Sequence, residues 1–390
     1  MMPEFEWKES EEVYLDNAAT TMIDPEVLVA MRPYLEERYG NPQTVYRMGR
    51  EAWDGVSAAR NSIAEAIGAE AGEIYFTSGG TESNNWALKG LHLGEKKTIL
   101  VGAVEHASVL EPAAWMDENG LASVKVVPVD GYGMVMVDVL EKYLEMGGVG
   151  LVSIQVANNE VGTVQPVEEI SRLCRKHGAV FHCDAVQGLG KVALDVDDLG
   201  VDMMSLSAHK IHGPKGIGAL YVRKGTNLEP LIHGGGHEKG MRSGTLPTYQ
   251  IVGFGKAVEM AMVSLRKDMP RLEEMTKRAV DDLEGRLGAK VNGSKESRLP
   301  NILSVTLPGM DGGVTCGILC SRYGVCVSSG SACNTISSRA SHVLEAMGRK
   351  KDSVHTLRLS LSRFTTEKSF KLAVARLEAA LRESKERSLI

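Results

Sequence analysis

The amino-acid sequence predicts an α/β protein with a large, doubly wound, mainly parallel sheet domain and a smaller α+β domain. Two observations carry this expectation. From Asp16 to Val222, short runs rich in Val, Ile and Leu alternate with amphipathic helical stretches, the pattern of a parallel sheet covered by helices on both faces. Beyond a long helical stretch over 247–287, the pattern changes to two strand-like runs set among three helical ones.

The strands of the first unit are expected at residues 74–77, 98–101, 124–128, 150–156, 179–184, 202–205 and 218–222. They are mainly apolar throughout rather than alternating, as strands buried on both faces should be. Asp24-Pro25 reads as the cap and first position of a helix over 26–38, and Pro166 opens another that reaches His177. The helical pattern over 247–287 is expected to kink at Met269-Pro270, because proline lacks the amide donor and clashes with the preceding turn. Strands at 301–307 and 356–360, with helices near 313–322, 339–348 and 366–386, then form a unit of about 120 residues. The expected division is 14–258 for the large domain, with 1–13 and 259–390 in the small one.

Composition narrows the function. The 390 residues are 43% hydrophobic and 24% charged, enough apolar material for a large core. A formal net charge of −6 argues against an extended nucleic-acid footprint and points to small molecules or proteins as partners. The start, MMPEFEWKESEEVY, is acidic and lacks the basic and apolar segments of a signal peptide, and no run approaches the length of a membrane span. A cytoplasmic protein is therefore expected, its six cysteines held as thiols.

Three short segments could carry chemistry. Ser207-Ala208-His209-Lys210 follows a predicted strand, so Lys210 sits at a sheet exit, where open α/β folds place ligands. By itself such a lysine is an ordinary solvated loop residue. Thr77-Ser78-Gly79-Gly80-Thr81-Glu82 passes from strand to helix through two glycines, presenting unpaired N–H groups suited to a phosphate, although simple capping gives the same wording. Phe181-His182-Cys183-Asp184 ends a strand in a carboxylate, which can pair with a protonated heterocycle nitrogen or merely form a turn. Together, lysine, phosphate cradle and acidic partner are the parts needed to hold pyridoxal 5′-phosphate.

From Val13 to Thr366 the chain resembles the class V aminotransferases of PLP-dependent transferase fold type I, and more narrowly the cysteine desulfurases of the NifS/IscS kind. The resemblance rests on Tyr14-Leu15-Asp16-Asn17-Ala18-Ala19-Thr20-Thr21, the turn around Thr81, Glu105-His106 and Ala157-Asn158-Asn159-Glu160-Val161-Gly162. It continues through Asp184-Ala185-Val186-Gln187, 207–218, 234–238, 242–247, Ser328-Ser329-Gly330-Ser331-Ala332-Cys333 and Arg358 to Thr366.

It implies that Lys210 bonds the cofactor, that Gly80, Thr81, Ser207 and His209 hold its phosphate, and that Asp184 pairs with its ring nitrogen. Asn159 and Gln187 would contact the ring hydroxyl, and His106 would stack on the ring and move protons. Thr245 would reach the phosphate in the other subunit of a homodimer. Arg358, with Asn159, would hold the substrate α-carboxylate, for which the guanidinium fork is suited. The implied reaction takes sulfur from L-cysteine, leaving L-alanine and a persulfide on Cys333. That sulfur would pass to an acceptor protein such as an iron–sulfur scaffold or a thiolation enzyme.

The small and polar residues around Cys333 read as an exposed loop that could carry a reactive thiol. Cys316 and Cys320 share a helical face with apolar neighbours and are expected in the core. Their spacing to Cys326 and Cys333 is not a standard metal pattern. Three departures from the family wording stand out: Tyr46 where an imidazole is usual near the entrance, Ser362 where glycine is usual beside Arg358, and the run after Cys333. The rival activities are selenocysteine lyase or another β-lyase, plain transamination, and a non-catalytic scaffold.

Overall fold

The computed structural model describes residues 12–307, 309–329 and 340–387, with the side chains of 384–387 left aside. Cys333 lies outside the described residues.

The large sheet has seven strands in the spatial order Ile74–Thr77, Gly218–Val222, Met203–Ser207, Val180–Asp184, Val149–Ser153, Thr98–Gly102 and Ser123–Val127. Gly218–Val222 runs antiparallel to both neighbours and the remaining pairings are parallel. The parallel strands therefore end on one edge, where open sheets of this kind bind their ligands. The strand expected at 202–205 runs on to Ser207. The one expected at 150–156 leaves regular pairing after Ser153, although Ile154 and Val156 still donate to the carbonyls of His182 and Asp184.

Helices Pro25–Glu36, Arg47–Ala66 and Thr248–Lys267 pack over one part of this unit, burying Val27, Val56, Ile63 and Phe254 completely. Each such side chain contributes about 1.5–3 kcal/mol relative to exposure. Asp24 caps the first helix through the amide of Glu26, as its sequence predicts. Arg47–Ala66 carries no such signal: Tyr46 precedes it without a side-chain cap, and Gly49 and Gly55 interrupt its apolar spacing. Gly55 is needed because a Cβ there would lie 2.5 Å from the Tyr34 hydroxyl. The opposite side of the sheet is covered by Trp86, Leu88, Val109 and Ala113 from helices Gly80–Lys89 and Ala107–Glu118.

The long helical stretch is two helices, Thr248–Lys267 and Met269–Leu287, separated at Asp268. The break comes just before the proline, leaving Pro270 in the first turn of the new helix, where no amide donor is required. Asp268 accepts a hydrogen bond from the Ser264 hydroxyl at 2.8 Å, closing the joint.

The C-terminal part holds a three-stranded antiparallel sheet in the order Thr356–Ser360, Ile302–Thr306 and Lys290–Val291. It has an apolar cluster of its own, to which Val13 and Leu15 belong. Val13–Tyr14 pairs in parallel with Val325–Cys326, and Asp16 bridges Ser360. The start of the described chain is thus stitched to strands near its other end, which brings Asp16 beside Arg358.

Candidate active site

The strand ends at Thr77, Asp184 and Ser207, and the segment after Ser153, open onto a cavity of about 310 Å³. Ten of the twelve residues singled out in the sequence line it: Gly80, Thr81, His106, Asn159, Asp184, Gln187, Ser207, His209, Lys210 and Arg358. Thr245 is exposed and does not line it. Cys333 is the twelfth.

One end of the cavity is a set of donors. Helix Gly80–Lys89 begins at Gly79, whose φ of +150° suits glycine, and among the described residues no side chain caps its first amides. Gly218 allows this turn to sit close to the sheet, since a Cβ there would lie 2.7 Å from the Gly79 Cα. Beside the helix start, the Ser207 hydroxyl is buried with no hydrogen-bond partner among the described residues. A helix N-terminus and an orphaned hydroxyl facing one cavity fit a phosphate group. His209 Nδ1 lies 3.1 Å from the Thr20 hydroxyl, and burial, reinforced by Lys210, Lys215 and Lys191, lowers its pKa to about 4. The Lys210 ammonium donates to the carbonyls of Ala18 and Ala19 at 2.8 and 2.7 Å.

Asp184 closes the deep side. Its Oδ1 accepts from the Val186 amide at 2.9 Å and its Oδ2 from Asn84 Nδ2 at 2.7 Å. Both carboxylate oxygens are thereby fixed in place, facing the cavity where a ring nitrogen could pair with them. Gln187 donates through Nε2 to the Ala18 carbonyl and accepts at Oε1 from Lys191 Nζ, both at 2.9 Å. His106 caps helix Ala107–Glu118 through Nδ1, which accepts from the Ser108 amide at 3.1 Å. Burial lowers its pKa against the opposing effect of Asp184, so the ring is held neutral. Behind it, complete burial raises the Glu105 pKa well above the carboxylate range, while Glu105 Oε1 accepts from the Gln155 amide at 2.9 Å.

Arg358 is fully buried rather than solvated. Its Nη2 meets Asp16 Oδ1 at 2.7 Å and its Nη1 donates to the Asn159 carbonyl at 2.9 Å. The Nε has no partner among the described residues. A guanidinium fixed from two sides with donor capacity left over is prepared for a carboxylate.

The loop that carries Thr245 is pinned to the turn at Ser78 and the start of helix Gly80–Lys89. Arg242 forms a two-bond pair with Glu82 at 2.8 and 3.0 Å, and Glu82 accepts from the Ser78 amide at 2.7 Å. A second pair joins Arg60 to Glu238, which also accepts from the Phe76 amide at 3.0 Å. Glu238 and Lys239 both have positive φ, a conformation that costs non-glycine residues energy; Glu238 is held by these bonds, and Lys239 Nζ donates to the Gly72 carbonyl at 3.2 Å.

One expectation needs correction, and two of the departures from the family wording lie off the cavity wall. Cys320 is exposed, because helix Gly312–Tyr323 buries Thr315, Ile318 and Leu319; only Cys316 is partly covered, its thiol 3.2 Å from the Val327 carbonyl. Ser362 does not line the main cavity: its hydroxyl accepts from the Phe364 amide, and it lines a separate void of about 30 Å³ with Lys191 and Arg363. Tyr46 is exposed at a helix start and is not part of the cavity wall formed by its own chain. The sequence reading also missed Asp16, Asn84 and Ser108 as site residues. Asp16 stood inside a quoted motif, but nothing local marked it as the partner of an arginine 342 residues away.

The fold and this cavity define a class: the chain belongs to the aminotransferase class-V family, whose model matches residues 13–372. Within it the chain is similar to "Cysteine desulfurase IscS" of Dictyoglomus turgidum, 42% identical over 372 residues covering 94% of each chain. A protein of the same name from Methanosarcina thermophila is 42% identical, covering 92% of this chain and 89% of its own. Among solved structures, a "NifS-like protein" superposes with a TM-score of 0.88 at 40% identity, covering 95% of this chain and all of that one. "SspA in complex with cysteine" gives 0.79 at 35% identity over 91% of this chain and 100% of that one.

Proposed function

We propose that the protein is a pyridoxal 5′-phosphate-dependent cysteine desulfurase that converts L-cysteine to L-alanine and leaves the sulfur on Cys333. The observation that carries this reading is the convergence of Lys210, Asp184, His106 and Arg358 on one cavity with a phosphate-type donor set at its end. The names of the relatives point the same way.

In this reading Gly80, Thr81, Ser207 and His209 hold the cofactor phosphate, Asp184 faces the ring nitrogen, and Asn159 and Gln187 face the ring hydroxyl. When bound, the cofactor supplies an electron sink for the substrate's α-carbon. Arg358 binds the substrate carboxylate and so fixes the α-hydrogen relative to Lys210. The Lys210 amine takes that proton, and neutral His106 holds or returns protons through Nε2. Cys333 supplies the nucleophile: its sulfur bonds to the substrate sulfur as the Cβ–S bond breaks, the carbon skeleton gains the protons and leaves as alanine, and Cys333 becomes a persulfide. No outside oxidant is required, because the substrate's C–S bond is reduced as the persulfide sulfur is oxidised.

The reading extends to the assembly and the chain's division. Residues 14–258 form the cofactor-binding unit, and 1–13 with 259–390 the unit carrying Arg358 and Cys333. The enzyme works as a cytoplasmic homodimer in which Thr245 completes the partner's phosphate site, and it passes sulfur to an iron–sulfur scaffold or a thiolation enzyme. Exposed Thr245 and the exposed apolar side chains between Met22 and Trp53, including Leu28, Leu35, Val45 and Tyr46, support a partner subunit. Among the described residues, no helix is long and apolar enough to cross a membrane.

The test is incubation of the cofactor-loaded protein with L-cysteine and a thiol reductant. Equal amounts of alanine and sulfide are expected. Pyruvate with ammonia would instead make it a β-eliminating lyase.

A further inference from the structure

Asn84 and Ser108 lie in the cavity wall between Asp184 and His106, and the desulfurase mechanism does not use either. Four contacts join the set. Asn84 Nδ2 reaches Asp184 Oδ2 at 2.7 Å and the Ser108 hydroxyl at 2.8 Å, and that hydroxyl lies 2.7 Å from His106 Nδ1. The Ser108 amide completes the group at 3.1 Å from the same ring nitrogen.

The direction of every proton in this chain follows from donor chemistry. A backbone N–H only donates, so His106 Nδ1 presents its lone pair. Asp184 Oδ2 accepts from the Asn84 side chain at 2.7 Å, so the amide nitrogen of Asn84, and not its oxygen, faces Asp184. That nitrogen has two hydrogens, and the second goes to Ser108. The serine hydroxyl therefore accepts from Asn84, which leaves its own hydrogen for His106 Nδ1. With two donors on Nδ1, the proton of neutral His106 resides on Nε2, the ring nitrogen left for a group in the cavity.

We infer that Asn84 and Ser108 are positioning residues for His106: anchored on the Asp184 carboxylate, they hold its imidazole in the neutral Nε2–H form. The chain of donors starts at Asp184, so the position of its carboxylate and the tautomer of His106 are linked through Asn84 and Ser108. Protonating His106 would place a new N–H against both donors. The charged and titratable groups facing the ring divide: Asp184 favours imidazolium, while Lys210 and His342 oppose it. Removal of the serine hydroxyl tilts this balance toward Asp184. Packing alone would ask only that the side chains fill space, and alanine or threonine at 108 would then serve equally.

This inference rests on the desulfurase reading for its kinetic consequence but not for its structural one. The primary test is nitrogen NMR of the cofactor-loaded protein labelled in histidine, with His106 assigned by a His106→Gln control. The wild type should show a protonated Nε2 and an unprotonated Nδ1 at neutral pH. A protonated Nδ1 would overturn the inference without any variant. Ser108→Ala should raise the pH at which His106 becomes imidazolium by about one unit, the effect of one lost hydrogen bond, and Ser108→Thr should restore it. The acid limb of kcat with L-cysteine should move by the same amount. Identical His106 titrations in wild type, Ser108→Ala and Ser108→Thr would also overturn it. Failure of L-cysteine to react would refute the desulfurase reading alone, since the NMR result needs no turnover.

Discussion

Arg358, which lines the cavity, meets Asp16, 342 residues away, at 2.7 Å, with the arginine side chain almost wholly buried. Buried ion pairs often contribute little net stability, but removing one partner leaves an unpaired charge at a cost of about 3–5 kcal/mol. Asp16→Ala should therefore lower unfolding stability by that order, measured by denaturant titration. Arg358→Lys keeps the charge but loses the fork. It should raise KM for L-cysteine by about ten- to a hundredfold while leaving the cofactor's absorbance unchanged, a split that steady-state kinetics will show.

The Arg242–Glu82 pair ties the loop bearing Thr245 to the first turn of helix Gly80–Lys89, the proposed phosphate site. Both side chains are largely shielded, which makes the pair stronger than an exposed one. Arg242→Ala should loosen the helix start and weaken cofactor retention about tenfold, read by absorbance during equilibrium dialysis. Sedimentation of the same variant should show an increased monomer fraction of the proposed homodimer.

His182 lies between the hydroxyls of Ser153 and Ser205, and burial lowers its pKa from 6.5 to about 3. His209 is lowered to about 4. A histidine whose folded pKa is depressed takes up its proton more readily when unfolded, so stability is present above 6.5 and is lost as pH falls below it. Each group should contribute a slope of about 1.4 kcal/mol per pH unit between its unfolded and folded values. Unfolding midpoints measured from pH 7 to pH 4 should fall steadily, and less steeply in His182→Gln.

Lys191 donates to Gln187 from a buried position, and burial, followed by Lys210 and Arg358, lowers its pKa from 10.5 to about 7. The unfolded chain therefore binds the extra proton between those values, and stability should rise with pH across that window. Lys191→Met should flatten that rise. It should also weaken cofactor binding severalfold by freeing the Gln187 amide to turn, as absorbance titration of the apoprotein would report.

The central sheet was legible because its strands are apolar on both faces, and Lys210, Asp184 and the Gly79-Gly80 turn stand at their ends, where sequence order alone predicts a ligand. Helix Arg47–Ala66 was not, because it has neither a capping side chain nor uninterrupted apolar spacing, and its glycines are set by close approach to neighbours. Asp16, Asn84 and Ser108 acquire their roles only through partners distant in sequence. Cys320 was misplaced for a related reason: a short helix with apolar residues on more than one face does not reveal which face is covered.

The central claim is sulfur transfer to Cys333 at this cavity. Its most direct test is mass analysis of the cofactor-loaded protein after one equivalent of L-cysteine without reductant. One added sulfur on the Cys333 peptide, with one alanine released and neither seen in Cys333→Ala, is the predicted result. Alanine formed by Cys333→Ala at the wild-type rate, or sulfur found on another cysteine, would contradict it.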